Sequence, residues 1–352
     1  MNNNNFEVKL VKNKKLIFTK KKLINLNKKK VRVKVRSVGV CASDIPRAYY
    51  NGAYHYPLVM GHEISGEIYE SRFNNFKKKE KVAIFPLLPC KNCRNCKLKK
   101  YNHCESYSYY GSREDGGFAK FIDVDPWNII KLPKKINFLD SFAMEPSAVA
   151  LNTIKKTFRE KPNKKAKILI AGSGFIGLLI SKLIKTKFSF LNVFLFDRNK
   201  HKLNFVPKGC KKILLKNDGL KSFKRFENSF DYIIDTTGNP KILSSLFNYA
   251  KNQAIITFMG NITDDVVFKK KEINLILRKE LKINGIWNSN YKNSLQNDWQ
   301  EVLKYFKKGF KPSKYISHKI KLSELPQYIN KIYLSKKNKK KFKFLKVVVC
   351  ND

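Results

Sequence analysis

Along residues 30–38 valine alternates with arginine or lysine, the period-two pattern of a strand with one buried face. Residues 81–86 and 118–124 repeat the pattern in shorter form. Helical periodicity is scarce up to about residue 150, so this part reads as mainly β with irregular loops, without internal repeats. The character changes near Pro162. Residues 167–171 form an apolar strand that runs into a glycine-rich turn and a helical pattern to about Lys187. Further strands are predicted at 192–196, at 232–235 before Thr236-Thr237-Gly238, and at 254–258 before Met259-Gly260. Strands alternating with helices predict a parallel sheet whose C-terminal ends face a ligand. From about Gly285 the chain is expected to return to the first domain, with Lys346-Val347-Val348-Val349 as a closing strand and the basic run 336–343 as a solvated loop. The pattern thus predicts an α/β protein with a mainly-β domain over 1–150, a doubly wound parallel-sheet domain over 151–284, and a return over 285–352.

The turn reads Gly172-Ser173-Gly174-Phe175-Ile176-Gly177. A lone Gly-x-Gly-x-x-Gly is weak evidence. Here it follows a strand, opens a helix, and has Asp197 20 positions after its last glycine. Such glycines let backbone approach a pyrophosphate at the positive end of a helix. Asp197 is placed to accept the adenosine ribose hydroxyls and to repel a 2′-phosphate, which favours NAD over NADP. The neighbouring Arg198 pulls the other way. Thr237 and Gly238, after the 232–235 strand, are further cofactor-binding candidates.

Two ligand sets lie in the first domain. Cys90, Cys93, Cys96 and Cys104 have the spacing Cys-x2-Cys-x2-Cys-x7-Cys. Four thiolates this close can enclose one tetrahedral zinc with no open position, a structural site. The loop 89–106 carries five lysines or arginines and little apolar content, so a metal is its natural organiser. A disulfide knot and an iron–sulfur cluster are the alternatives; nothing suggests secretion, and the spacing differs from the common ferredoxin runs. Outside the loop stand Cys41, His62, Glu63 and Glu145. A thiolate, an imidazole and a carboxylate can hold zinc with one position open, the pattern of a catalytic metal. Each alone has an ordinary reading as core cysteine or turn residue; together, around the four-cysteine loop, those readings weaken.

Composition changes this picture little. The chain has 352 residues with 73 Lys+Arg against 27 Asp+Glu, a formal net charge of +46. Such an excess suggests nucleic acid or an anionic surface. The lysines are spread along the whole length among many Asn, Ile and Phe, which reads as compositional drift on an ordinary enzyme, so neither nucleic acid nor membrane is expected as a partner. The positive field should still draw anionic substrates and cofactors. No apolar leader opens the sequence, and no stretch is long enough to span a bilayer. Seven cysteines, an odd count, fit a reducing cytoplasm. Cys210 and Cys350 read as packing residues.

The order Cys41-Ala42-Ser43-Asp44, Gly61-His62-Glu63, the four-cysteine loop, Asp115-Gly116-Gly117-Phe118-Ala119, Glu145-Pro146 and the glycine-rich turn resembles the zinc-dependent medium-chain alcohol and polyol dehydrogenases over essentially the whole chain. Longer strings, Gly39 to Arg47, Asn51-Gly52-Ala53, Pro86 to Cys90 and Gly111-Ser112-Arg113, are most similar to the galactitol-1-phosphate 5-dehydrogenases. The resemblance implies a GroES-like catalytic domain joined to a Rossmann domain, two Zn2+ per chain and NAD. It implies Cys41, His62 and Glu145 as ligands of the catalytic zinc, with Glu63 either binding it or holding its water. Ser43 would begin a proton relay, and Asp44 would orient the zinc-bound histidine. The histidine that ends the relay in simple alcohol dehydrogenases is absent near Pro46, and His55 is a poor substitute. Arg47 and Arg113 lie in the shared strings and are candidates for a substrate phosphate. The implied reaction is oxidation of a secondary hydroxyl of a polyol phosphate by a cytoplasmic homodimer or homotetramer. A free polyol, ribitol phosphate or another secondary alcohol is the nearest rival, and a non-catalytic basic binding protein a remote one.

Overall fold

The computed structural model describes residues 4–215, 219–292, 296–337 and 342–351. The chain forms two compact units, Met1–Ala148 with Asn290–Asp352, and Val149–Ser289. The basic run 336–343 falls partly outside the described residues, as do Met1 to Asn3.

The first unit is built on a seven-stranded sheet. Its path runs Ile129–Lys131, Lys81–Ile84, Glu63–Ser71, Val31–Gly39, Val347–Cys350 and His318–Ile320, and Phe121–Val124 also pairs with Val31–Gly39. The alternating valines behave as the period demands: Val31, Val33 and Val35 are buried, and they pack with Ile64, Ile68, Val82, Ile84, Val347 and Val349. Arg32 departs from the simple alternation, for it is buried among them. Its guanidinium meets Asp123 at 2.7 and 2.8 Å in a two-pronged pair, with Glu70 at 3.4 Å, which supplies the partners a buried cation requires.

The central strand Val31–Gly39 brings the candidate ligands to one end of the sheet. Gly39 lies opposite Glu63 on one side and opposite Val348 on the other. A β-carbon at Gly39 would collide with the Glu63 carboxylate, so the glycine makes room for a charged group at the strand end. Cys41 comes two residues after the strand ends, and His62 immediately precedes the paired strand. A separate two-rung ribbon pairs Leu87 with Tyr109 and Leu88 with Ser108. The four-cysteine loop is the excursion between its strands.

The second unit carries a six-stranded parallel sheet in the order Cys210–Leu214, Asn192–Asp197, Lys167–Ala171, Phe230–Asp235, Ala250–Phe258, Lys282–Gly285. Phenylalanine fills much of its core: Phe194, Phe196, Phe223, Phe230 and Phe247 are buried beside Leu169, Ile233 and Ile256. The helix Phe175–Lys187 starts at Gly174 and buries Leu178, Leu179, Leu183 and Ile184. The strand at 167–171 and the helix end at 187 coincide with the pattern in the sequence. The strands read at 232–235 and 254–258 extend earlier, to Phe230 and Ala250, because the parallel pairing itself recruits their less apolar starts. Among the described residues no helix is long and apolar enough to cross a membrane.

Candidate active site

In the four-cysteine loop the sulfur atoms lie within 4.8 Å of one another. Cys90 and Cys96 are 3.9 Å apart and Cys93 and Cys104 4.0 Å. Four ligands at about 2.3 Å around a tetrahedral zinc are separated by about 3.8 Å, so the spacing fits that ion closely. Disulfide sulfurs would stand about 2 Å apart, and all seven cysteines are free. Backbone N–H groups of Cys93 and Asn92 pull the Cys90 thiol down to about 6, a bias toward the thiolate that a metal binds.

The second set gathers at the end of the central strand. Ligand atoms of Cys41, His62 and Glu63 lie within 4.8 Å of one another. Glu145 falls outside this tightest trio yet acts on its electrostatics. Burial pulls the His62 imidazole down, but Cys41, Asp44 and Glu145 outweigh it and lift the ring to about 10. Burial pushes the Glu145 carboxyl up to about 7, against the pull of His62. The His62 Nδ1 is buried without a hydrogen-bond partner. Two buried carboxylates, one thiol and one imidazole nitrogen without a hydrogen-bond partner form a donor set that suits a divalent cation of zinc type.

Asp44 is fully buried and stands at the start of the short helix Asp44–Tyr49. Its Oδ2 accepts the Cys41 N–H at 2.8 Å, and Oδ1 lies 3.2 Å from Arg47 and 3.8 Å from His62 Nδ1. Asp44 therefore holds the Cys41 backbone, pairs with a cation and faces the His62 ring. Ser43 is the residue before that helix, and its side chain makes no capping bond there. Arg47 is nearly buried, and its Nε has no hydrogen-bond partner. Arg113 lies differently: its guanidinium packs on the Tyr54 ring at 4.3 Å and on the Tyr107 ring at 4.0 Å, and it donates to the Tyr107 carbonyl at 2.7 Å and the Tyr54 hydroxyl at 3.1 Å. His55 contacts the carbonyls of Pro57 and Arg113 and is not brought into the trio.

Two residues at the site carry no signal in the sequence. Lys346 is buried, and its ammonium meets the Glu63 oxygens at 2.6 and 2.5 Å and donates to the Val40 carbonyl at 2.9 Å. Tyr109, from the two-rung ribbon, places its hydroxyl 3.4 Å from Glu145 Oε1 and its ring edge against His62. Burial, then Glu145 and Cys41, push the Tyr109 phenol well above its usual value, so it stays a neutral donor. A cavity of about 830 Å3 lies elsewhere in the same unit, lined by Glu7, Arg32, Cys90 and Asn128, among others; none of the trio lines it.

In the second unit the glycine-rich turn has the shape its sequence implies. Gly172 has φ +99°, and a β-carbon at Gly177 would collide with the Gly172 carbonyl, which fixes the helix close to the strand end. A β-carbon at Gly174 would meet nothing within 4 Å, so that backbone opens onto free space at the helix N-terminus, as a cradle for a pyrophosphate requires. Phe175 and Ile176 begin the helix. Asp197 ends its strand and Arg198 beside it is exposed. Thr237 donates to the buried Asp235 carboxylate, and Gly238 comes next at φ +60°.

Residues 27–134 match the model of the alcohol dehydrogenase GroES-like domain, and residues 176–308 match that of the zinc-binding dehydrogenases. The galactitol 1-phosphate 5-dehydrogenase of Escherichia coli K12 is 31% identical over 264 residues, 73% of this chain and 75% of that protein. The crystal structure of galactitol-1-phosphate dehydrogenase from Escherichia coli superposes with a TM-score of 0.84 at 26% identity, covering 98% of this chain and all of that one (100%). A short chain alcohol dehydrogenase, RspB, from Escherichia coli CFT073, complexed with NADH, gives a TM-score of 0.84 at 25% identity over 99% of this chain and 100% of that one. The parallel sheet, the two ligand clusters and these likenesses agree: the chain belongs to the zinc-dependent medium-chain alcohol and polyol dehydrogenases, a family of oxidoreductases.

Proposed function

We propose that the protein interconverts a secondary alcohol of a polyol phosphate, galactitol 1-phosphate as the first candidate, and the corresponding ketose phosphate, with NAD as hydride partner. The observation that carries the phosphate is Arg47, a nearly buried cation beside the ligand trio with a donor still unspent. Similarity to the galactitol 1-phosphate enzyme points the same way. A cytoplasmic homodimer or homotetramer is the expected form, to be read by light scattering.

Cys41, His62 and a carboxylate, Glu145 with Glu63 beside it, would hold the catalytic zinc, and Cys90, Cys93, Cys96 and Cys104 a structural one. Zinc at the open site supplies Lewis acidity toward the alcohol oxygen, and NAD supplies the hydride acceptor. The chain's own residues do the rest. Ser43 would begin the proton relay, accepting a hydrogen bond from the substrate hydroxyl and passing its own proton on to water. Asp44 holds the Cys41 backbone and faces the His62 ring, keeping both in place. Tyr109 donates to Glu145 and fixes its orientation. Lys346 balances Glu63, so that this carboxylate does not stand as an unpaired buried charge. Gly172, Gly174 and Gly177, with Phe175 and Ile176, form the pyrophosphate turn. Asp197 accepts from the adenosine ribose beside Arg198, and Thr237 and Gly238 border the same strand ends.

The test is NADH formation with galactitol 1-phosphate, ribitol phosphate, galactitol and sorbitol, with zinc added. Arg47→Ala is expected to lower kcat/KM for the phosphorylated substrate by roughly 10- to 100-fold more than for the free polyol, since charge-assisted bonds contribute about 1.5–3 kcal/mol. The comparison between substrates matters because Arg47 also pairs with Asp44, and that shared loss affects both. Equal losses would favour a free polyol. That second reading draws support from Arg113, whose engagement with Tyr54 and Tyr107 leaves one arginine rather than two for a phosphate.

Asp197→Ala is expected to weaken NAD by much more than NADP, because it removes both the acceptor for the ribose and the repulsion of a 2′-phosphate. Calorimetric Kd values for the two cofactors check this. A wild type that prefers NADP contradicts the role given to Asp197.

A further inference from the structure

Asp197 is held in a specific pose by the turn it faces. Its Oδ2 accepts the Ser173 backbone N–H at 3.0 Å and the Ser173 hydroxyl at 2.9 Å, and its Oδ1 accepts the Asn199 N–H at 2.9 Å. Ser173 is fully buried, whereas Asp197 is partly exposed. The serine thus stands behind the carboxylate, on the side away from solvent. A carboxylate offers about four acceptor positions. Three are filled from the protein, and the remaining one is on Oδ1, the oxygen that the serine leaves alone. Two of the three donors are backbone groups that any residue would supply. The third exists only because the middle residue of Gly172-Ser173-Gly174 carries a hydroxyl.

We infer that the Ser173 hydroxyl is a positioning group for cofactor choice: it locks the Asp197 carboxylate plane, so that Oδ1 presents a fixed acceptor to the adenosine ribose and a fixed negative charge to any 2′-phosphate. Without it the carboxylate keeps two bonds, one to each oxygen, but loses the second bond on Oδ2 that resists rotation about its terminal torsion, which is broad in energy. A carboxylate free to turn binds the ribose less well and avoids a phosphate more easily. The serine would therefore act on discrimination rather than on binding in general. The inference rests on the NAD reading of the second unit.

Calorimetric titration of the full-length protein with NAD and with NADP tests it. Ser173→Ala is expected to raise the Kd for NAD by roughly 3- to 10-fold, the effect of one hydrogen bond to a charged or neutral partner, while the Kd for NADP stays level or falls. In an Asp197→Ala background the same substitution is expected to leave the NAD Kd within about twofold, because the group it positions is gone. NADP affinity doubles as the control for an intact turn, since both cofactors share the pyrophosphate. Equal weakening of both cofactors, an unchanged NAD:NADP ratio, or an undiminished serine effect without Asp197 would each overturn the inference. Failure of the wild type to bind NAD would instead overturn the cofactor assignment, and the two failures are thereby told apart.

Discussion

Lys346→Ala is expected to lower the free energy of unfolding by about 3–5 kcal/mol, far beyond the ~0–1 kcal/mol typical of a surface ion pair. The side chains of Lys346 and Glu63 retain only 4% and 2% of their exposure, so removing the ammonium strands a buried carboxylate. The loss also removes a donor from the Val40 carbonyl, one residue before Cys41. Urea unfolding of protein with the trio emptied of metal measures the change, since a divalent cation there would itself offset the Glu63 charge. The double variant Lys346→Met with Glu63→Gln should recover most of the stability, because a buried pair replaced on both sides leaves no lone charge. A single variant within about 1 kcal/mol of wild type would mean that water reaches the pair in solution.

Treatment with a chelator is expected to abolish turnover while the fold persists. Three ligands such as Cys41, His62 and Glu63 would leave a zinc position open for substrate, whereas four cysteines would enclose an ion. Elemental analysis should give about two zincs per chain before treatment and about one at the point where activity is gone, since open sites exchange before closed ones. Lewis-acid assistance contributes several kcal/mol to such a reaction, so kcat should fall by at least about 10^3-fold. Circular dichroism should be unchanged at that stage. Protein that holds no metal when carefully prepared, yet folds and turns over substrate, would refute both metal centres.

What the sequence makes legible is local. The four-cysteine spacing confines its ligands to one loop, so sequence distance stands in for spatial distance. The glycine-rich turn likewise compresses strand, turn and helix into about 20 residues, with Asp197 at a fixed offset. The valine alternation at 30–38 reveals the strand because its period reports a buried face directly. What stays hidden is long-range pairing. Lys346 reads as the polar start of an apolar run; its partner is 283 positions away. Tyr109 reads as one aromatic among several in a loop, and only the two-rung ribbon brings it to Glu145. Arg113 is a phosphate candidate through the strings it shares with the resembling enzymes, while the tyrosines that engage it lie 59 and 6 positions off. The period of its strand places Arg32 on a solvent face, and Asp123 and Glu70 bring it inside. In each case chemistry is readable and partnership is not.

The central strand of the catalytic sheet has a consequence for biosynthesis. Gly39 is flanked by Glu63 on one side and by Val348 on the other, and Lys346 arrives with that second neighbour. During translation the thiol, imidazole and carboxylate of the trio leave the ribosome early and together. Their counter-charge is synthesised 283 residues after Glu63, behind the entire dinucleotide-binding unit. Until then the nascent trio holds an anion with no lysine beside it and a sheet edge with no closing strand. A ribosome that stalls before this strand therefore has made every candidate metal ligand but not the lysine that balances Glu63, and the order of synthesis, as much as the amino acids themselves, sets when that pair can form.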